Sequence, residues 1–171
     1  TVVMNGSLDI WPTSNELIHA SAERLASLLT VCVQARGRAT IALSGGSTPR
    51  SLYALLSSEL YRPRISWKSV HVFWGDERCV PPESSESNFR MANEALLAHV
   101  PIPPQNVHRI KGEQNPSYAA EEYETEIRQI FGLEKGMHPR FDVILLGLGE
   151  DGHTASLFPG VSALTEQHRL V

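Results

Sequence analysis

Short apolar runs alternate along the chain with longer stretches in which apolar residues recur at helical spacing. The apolar runs predict strands at residues 8–11, 40–43, 70–74, 107–110 and 141–146. The longer stretches predict helices at residues 14–35, 49–56, 88–99 and 116–131. The run at 141–146 is the most apolar, so we expect it at the centre of the sheet, buried on both faces.

This alternation of strands and helices predicts an α/β fold. It favours an open, mainly parallel, Rossmann-like sheet with helices on both faces and right-handed crossovers, built as a single domain over residues 1–171. Thr13 or Ser14 can cap the first helix, and Pro49 stands where the first residue of the second helix is expected. Because such sheets bind ligands outside the carboxyl ends of their strands, we expect the loops at 44–48, 75–78 and 147–154 to form one site.

The first of these loops is suited to an anion. Glycines leave its backbone N–H groups unobstructed, hydroxyl groups add donors, and the next helix offers free N–H groups at the positive end of its dipole. We therefore expect a phosphate to bind here, although a plain strand-to-helix turn with a capping serine is the alternative. It is not a P-loop, since no Gly-Lys-Ser/Thr follows. The predicted binding residues are Ser44, Gly45, Gly46, Ser47 and Thr48.

The second loop carries charged side chains. Arg78 can clamp a phosphate through two hydrogen bonds, while Asp76 and Glu77 can hold sugar hydroxyls or orient a neighbour. A solvated surface turn with a local ion pair is the alternative.

The third loop holds the candidate catalytic residue, His153. A histidine can accept a proton from water near neutral pH and then donate it to a leaving oxygen. Asp151 can orient the ring and stabilise its cation. A histidine that merely caps a helix or packs is the alternative, but a glycine-rich loop at the carboxyl end of a strand favours a functional one.

Two other sites compete for the same residues. Gly147, Gly149 and Gly152 match the spacing of a dinucleotide-binding loop, but Glu150 and Asp151 would place negative charge against the pyrophosphate. The run Ala42-Leu43-Ser44-Gly45-Gly46 approximates a nucleophile elbow, in which Ser44 would attack with His153 as its base. Replacing Ser44 with Ala decides between an elbow and a phosphate loop.

Composition excludes several classes of protein. The net charge is −4 and no long basic run occurs, which argues against nucleic-acid binding. No apolar run approaches the roughly 18–20 residues of a membrane span, and the N-terminus lacks the regions of a signal peptide. Cys32 and Cys79 lie far apart, so we expect free thiols in a reducing compartment, the cytoplasm.

Taken together, the three loops resemble the 6-phosphogluconolactonase family. The resemblance implies hydrolysis of 6-phosphoglucono-1,5-lactone, the second step of the oxidative pentose phosphate pathway, without metal or cofactor. It also implies that Asn88, Gly149 and Gly152 join the substrate-binding residues. The matching segments are Leu43-Ser44-Gly45-Gly46-Ser47-Thr48-Pro49, Asp76-Glu77-Arg78-x-Val80-Pro81 with Ser87-Asn88, and Gly147-x-Gly149-x-Asp151-Gly152-His153-Thr154-Ala155-Ser156-Leu157-Phe158-Pro159.

A sister family, glucosamine-6-phosphate deaminase/isomerase, shares the fold and the Asp-Gly-His core. Its members usually have Asp-Glu-Tyr at the second loop, where this chain has Asp76-Glu77-Arg78. After the histidine motif they usually have Ala-Phe-Asn-Glu-Pro, where this chain has Ser156-Leu157-Phe158-Pro159. The lactonase is therefore the expected activity, and a non-catalytic sugar-phosphate-binding module is a further alternative.

The chain departs from the family pattern at its end. Family members continue well past Val171 with further strands and a segment bearing Lys and Arg that helps to hold the phosphate. We therefore expect a C-terminally incomplete domain whose sheet lacks its C-terminal strands and exposes an unpaired edge. A monomer or weak homo-oligomer is expected.

Overall fold

A computed structural model describes residues 6–171. The expectation that the N-terminus lacks the regions of a signal peptide begins with residues 1–5, which lie outside this range. The first helix, α1, spans Ser14–Arg36 and confirms the predicted one. The Thr13 side chain caps it by accepting a hydrogen bond from the Glu16 N–H at 3.3 Å. Gly37 ends it with a φ of 74°, a left-handed conformation that glycine adopts without a steric penalty.

The sheet has three parallel strands in the order β2-β1-β3. Its strands are β1 at Ala39–Leu43, β2 at Val70–Trp74 and β3 at Val143–Ile144. The remaining α-helices are α2 at Ser47–Leu56, α3 at Asn88–Ala95 and α4 at Pro116–Phe131. Single 3₁₀ turns occupy Arg62–Arg64, Trp67–Ser69, Leu97–His99, Pro104–Asn106 and Ser162–Thr165.

Alternate residues of β1 face two separate parts of the core. Ile41 and Leu43 pack into the larger cluster, which includes buried residues of α1 and α2, whereas Ala42 packs with Phe73 and Tyr123 on the side of α4. Helices therefore cover both faces of the sheet, as the sequence predicted. β1 is the central strand, between β2 and β3, and all five of its residues are buried.

The predicted central strand at 141–146 was wrong in position and extent. Only Val143–Ile144 pair, they pair only with β1, and no strand lies on the outer edge of β3 within residues 6–171. Ile144 and Leu146 are consequently 51% and 63% exposed. An apolar run shows how much surface a strand can bury, but the neighbours that bury it are not encoded in that run.

Three other boundaries differ from the prediction. Residues 8–11 form no strand, and Leu8 and Ile10 are more than 80% exposed because no neighbouring strand pairs with them. Residues 107–110 make a single bridge, from Val107 to Val72, before the chain turns away. The helix predicted at 88–99 ends at Ala95 and continues as a 3₁₀ turn, and Pro49 is the third residue of α2 rather than the first.

Two buried tyrosines fix the carboxyl ends of neighbouring strands. The Tyr53 hydroxyl accepts a hydrogen bond from the Ser44 N–H at 3.0 Å and donates to the Ser44 carbonyl at 2.9 Å. The Tyr123 hydroxyl does the same at Trp74, at 2.9 and 3.1 Å. Burial raises the pKa of Tyr53 to about 12 and also raises that of Tyr123, so both hydroxyls keep the proton that they donate.

Replacing Tyr123 with Phe is expected to lower the free energy of unfolding by about 1–3 kcal/mol, because the buried Trp74 peptide loses both partners. Urea unfolding measures this as a lower midpoint with an unchanged slope. Tyr118→Phe is the matched control, because Tyr118 is 59% exposed. Equal stabilities of the two variants would show that the Tyr123 hydroxyl contributes nothing.

Candidate active site

The three predicted loops meet in one cavity of about 220 Å³ at the carboxyl ends of β1 and β3. The cavity joins side chains that are more than a hundred residues apart in sequence. Its walls are formed by Ser44, Gly45, Gly46, Asp76, Arg78, Asn88, Gly147, Leu148, Gly149, His153 and Ala155.

The first loop presents mainly its backbone to the cavity. Gly46 precedes α2 with a φ of 105°, and no side chain caps that helix, so its first N–H groups keep their capacity to bind an anion. Gly45 is required by packing, because a Cβ there would lie 2.1 Å from Oδ1 of Asn88. Ser47 and Thr48 are exposed and do not line the cavity.

The second loop contributes Asp76 and Arg78. Asp76 accepts a hydrogen bond from the Ser156 hydroxyl at 2.7 Å, and its carbonyl accepts one from the Asn88 amide at 3.1 Å. Asp76 therefore connects the second loop to the third. Arg78 is exposed and has no carboxylate within ion-pair distance in the described residues, so its charge is available to a ligand.

Glu77 contacts neighbouring residues of the loop and of α3, in line with the second of the two roles open to it, orienting a neighbour. Its carboxylate accepts hydrogen bonds from the N–H groups of Asn88 at 2.7 Å and Phe89 at 2.8 Å, and from the Ser87 hydroxyl at 3.1 Å. It thus stabilises the positive end of α3 and lies outside the cavity wall. Glu77 positions Asn88, which does line the cavity.

The third loop holds His153 beside Asp151. Nδ1 of His153 lies 2.5 Å from Oδ1 of Asp151, and the same oxygen accepts the His153 backbone N–H at 3.1 Å. The side-chain hydrogen bond from His153 is the main cause that lowers the pKa of Asp151 below its usual value, so this carboxylate stays charged at neutral pH. Phe158 stacks on the imidazole, with ring centroids 4.4 Å apart.

Two glycines of this loop have distinct structural tasks. A Cβ on Gly149 would lie 2.2 Å from Cε1 and Nδ1 of His153, so only glycine leaves room for the ring. Gly152 turns the chain with a φ of 84° and does not line the cavity. Ala155, which does line it, also has a positive φ of 49°, a conformation that costs free energy for a residue with a Cβ.

Sequence reasoning did not assign roles to Ser156 and Phe158, although both belong to the motif after His153. Ser156 donates a hydrogen bond to Asp76, and Phe158 stacks on the imidazole of His153. No local sequence pattern predicts either contact. The competing sites find little support. Within residues 6–171, no α-helix begins after Gly152, as a dinucleotide-binding loop requires, and no hydrogen bond joins Ser44 to His153, as a nucleophile elbow requires.

No helix within residues 6–171 combines the length and apolar character needed to cross a membrane. Among these residues, no group of three or more His, Cys, Asp or Glu side chains is arranged to hold a metal ion.

Known proteins resemble this chain over nearly its whole length. The family described as glucosamine-6-phosphate isomerases/6-phosphogluconolactonase matches residues 12–171. The 6-phosphogluconolactonases of Synechocystis sp. and Nostoc sp. are 43% and 40% identical over 169 residues, which is 98% of this chain and 69% of each relative. The structure of 6-phosphogluconolactonase from Trypanosoma brucei superposes with a TM-score of 0.84 at 34% identity, covering 98% of this chain and 68% of that protein. This chain thus spans about two thirds of the length of these proteins.

Proposed function

Because the chain belongs to the glucosamine-6-phosphate isomerase/6-phosphogluconolactonase family, we propose that it hydrolyses 6-phospho-D-glucono-1,5-lactone to 6-phospho-D-gluconate. The observation that carries this proposal is the shared cavity of His153, Arg78 and the loop at 44–46. A general base and an anion site within one small cavity fit a substrate that carries a lactone and a phosphate. The names of the relatives agree with this substrate.

His153 acts as the general base in the proposed reaction. In this mechanism Asp151 accepts a hydrogen bond from the protonated Nδ1 of His153. The lone pair of Nε2 is then free to take a proton from water. The water oxygen bonds to the lactone carbonyl carbon, the C–O bond of the ring then breaks, and the imidazolium returns its proton to the departing ring oxygen. The product has one carboxyl group and one new hydroxyl, so no covalent enzyme intermediate is needed.

The anion in the transition state and the phosphate need separate positive groups. N–H donors of the glycine-rich loops are suited to the oxyanion, since fixed dipoles stabilise charge as it develops. Arg78 and the uncapped N-terminus of α2 are suited to the phosphate. Asn88 and Asp76, held in place by Glu77 and Ser156, are suited to the sugar hydroxyls.

Replacing Arg78 with Gln is expected to raise KM for the phosphorylated lactone by about tenfold or more and to leave kcat within about threefold, because a phosphate clamp acts equally on the ground and transition states. Initial rates with freshly generated lactone measure both constants. Arg62→Gln removes another partly exposed arginine, in the 3₁₀ turn after α2 and outside the cavity wall, as the control. An unchanged KM would exclude Arg78 from phosphate binding.

The reaction itself is tested by two assays on one preparation. Lactone hydrolysis above the spontaneous rate, without ammonia release from glucosamine 6-phosphate, would establish the lactonase. Ammonia release would assign the deaminase/isomerase activity instead. Saturable binding of 6-phosphogluconate with neither activity would leave a sugar-phosphate-binding module. We also propose a cytoplasmic location, supported by Cys32 and Cys79 as free thiols.

A further inference from the structure

A second cavity lies at the opposite end of the sheet from the candidate active site. It has a volume of about 500 Å³, within the usual range of small-molecule sites. Arg38 directly precedes β1, and Asp142 directly precedes β3, so the cavity opens at the amino ends of both strands. Its walls are formed by Cys32, Arg36, Arg38, Thr40, Phe131, Arg140, Phe141 and Asp142.

The one carboxylate in the wall of this cavity already forms an ion pair and hydrogen bonds within the protein. Asp142 forms an ion pair with Arg36, and its second oxygen accepts hydrogen bonds from the Thr40 N–H at 2.8 Å and the Thr40 hydroxyl at 3.0 Å. Only 14% of the Asp142 side chain is exposed. It therefore neutralises Arg36 and has no free oxygen for another arginine.

Two arginines of the cavity keep their charge unneutralised. In the part of the chain that the structure describes, each arginine has a carboxylate within 4 Å except Arg38, Arg50, Arg78 and Arg140. Arg50 and Arg78 lie at the carboxyl end of the sheet, where the proposed substrate phosphate binds. Arg38 and Arg140 share the second cavity, although the net charge of the protein is −4.

The cavity also has an apolar wall. Phe131, at the end of α4, and Phe141 are half-buried, and their rings meet at 64° with centroids 4.8 Å apart. The Arg38 guanidinium is held beside them by a hydrogen bond to the Ile130 carbonyl at 3.3 Å. Guanidinium groups beside aromatic rings suit a ligand with an anionic group and a planar body.

We propose that this cavity binds a phosphate ester carrying a planar ring, with Arg38 and Arg140 on the phosphate and Phe131 and Phe141 against the ring. The site is separate from the catalytic cavity. Arg38 and Ser44 flank β1, and the six residue steps between them span about 20 Å. Binding here does not depend on the lactonase assignment.

The two free cysteines provide a test within one molecule. Cys32 lines the second cavity, whereas Cys79 adjoins Arg78 beside the catalytic cavity. The rates of alkylation of both thiols by N-ethylmaleimide, followed by peptide mass analysis, therefore report on the two cavities separately. AMP is the probe, with adenosine and ribose 5-phosphate as compounds that lack the phosphate or the ring.

AMP is expected to slow alkylation of Cys32 at least about fivefold and to leave the rate at Cys79 unchanged. Arg38→Gln/Arg140→Gln is expected to weaken AMP binding at least about tenfold, the loss of one or more charged contacts, while Arg24→Gln/Arg62→Gln retains it. Arg24, Arg38 and Arg140 are exposed and Arg62 is partly exposed, and equal melting temperatures of the variants would show that the fold is kept. Arg78→Gln is expected to retain protection of Cys32.

Several results would overturn the proposal. These are no protection of Cys32, protection confined to Cys79, or equal protection in Arg38→Gln/Arg140→Gln. Protection by adenosine as strong as by AMP would remove the role of the phosphate. Protection by ribose 5-phosphate as strong as by AMP would remove the role of the two phenylalanines.

Discussion

Replacing His153 with Ala is expected to lower kcat for lactone hydrolysis by about 10²–10⁴-fold, the usual contribution of a positioned general base. The imidazole is the one side chain of the cavity whose ring nitrogen is oriented by a carboxylate, through the 2.5 Å contact with Asp151. Asp151→Asn is expected to lower kcat less, because the ring remains but loses the partner that fixes its tautomer. KM should change little in both variants.

Initial rates corrected for spontaneous lactone hydrolysis measure these changes. His138→Gln is the matched control, because His138 is exposed and outside the cavity. Ser44→Ala belongs in the same series: a loss as large as that of His153→Ala, with substrate still bound, would transfer the attack from water to Ser44. A kcat of His153→Ala within about tenfold of the unsubstituted protein would remove general base catalysis from the mechanism.

The limits of α1 and α4 were predictable because their signals are local, whereas α3 ends at Ala95, short of the predicted 99. Thr13 and Asn115 cap the first turns of these helices, and Gly37 and Gly132 follow their last residues, so both helices begin and end within a residue of the predicted limits. Strand pairing is set by contacts between distant segments, and the prediction of the central strand was wrong. The run at 141–146 is the most apolar of the chain, yet its central two residues pair on one side only.

The site shows the same division between local and distant signals. The loops were located correctly because parallel strands bring their carboxyl ends together, whatever the loops contain. For Glu77 the sequence left two roles open, holding sugar hydroxyls or orienting a neighbour, and its carboxylate accepts hydrogen bonds at the start of α3, from residues 10 to 12 positions later in the chain. A charged residue in a motif can thus build the site without facing it. The individual binding roles of the cavity residues stay predictions.

Gly149 offers a second, sharper test of the catalytic geometry. Its φ is not positive, so the backbone accepts alanine at this position. The added Cβ, however, would lie 2.2 Å from two ring atoms of His153 and 2.9 Å from Nε2. The ring must move, and a displaced ring changes its contact with Asp151 and its stacking on Phe158.

Gly149→Ala is therefore expected to lower kcat by about 10²-fold, since a displacement of about 1 Å in a catalytic group costs a factor of this size. The free energy of unfolding should change by less than about 0.5 kcal/mol, because the loop is largely exposed. Gly147→Ala is the matched control: it lines the same cavity, and a Cβ there meets nothing within 4 Å.

A double-mutant cycle separates displacement of the ring from general damage to the loop. If the Cβ acts through the imidazole, adding Gly149→Ala to His153→Ala should cost almost nothing further, because the ring that it displaces is gone. If the two losses in activation free energy instead add, the substitution acts on another part of the cavity. Nonadditivity would show that the glycine serves catalysis by leaving space for the imidazole.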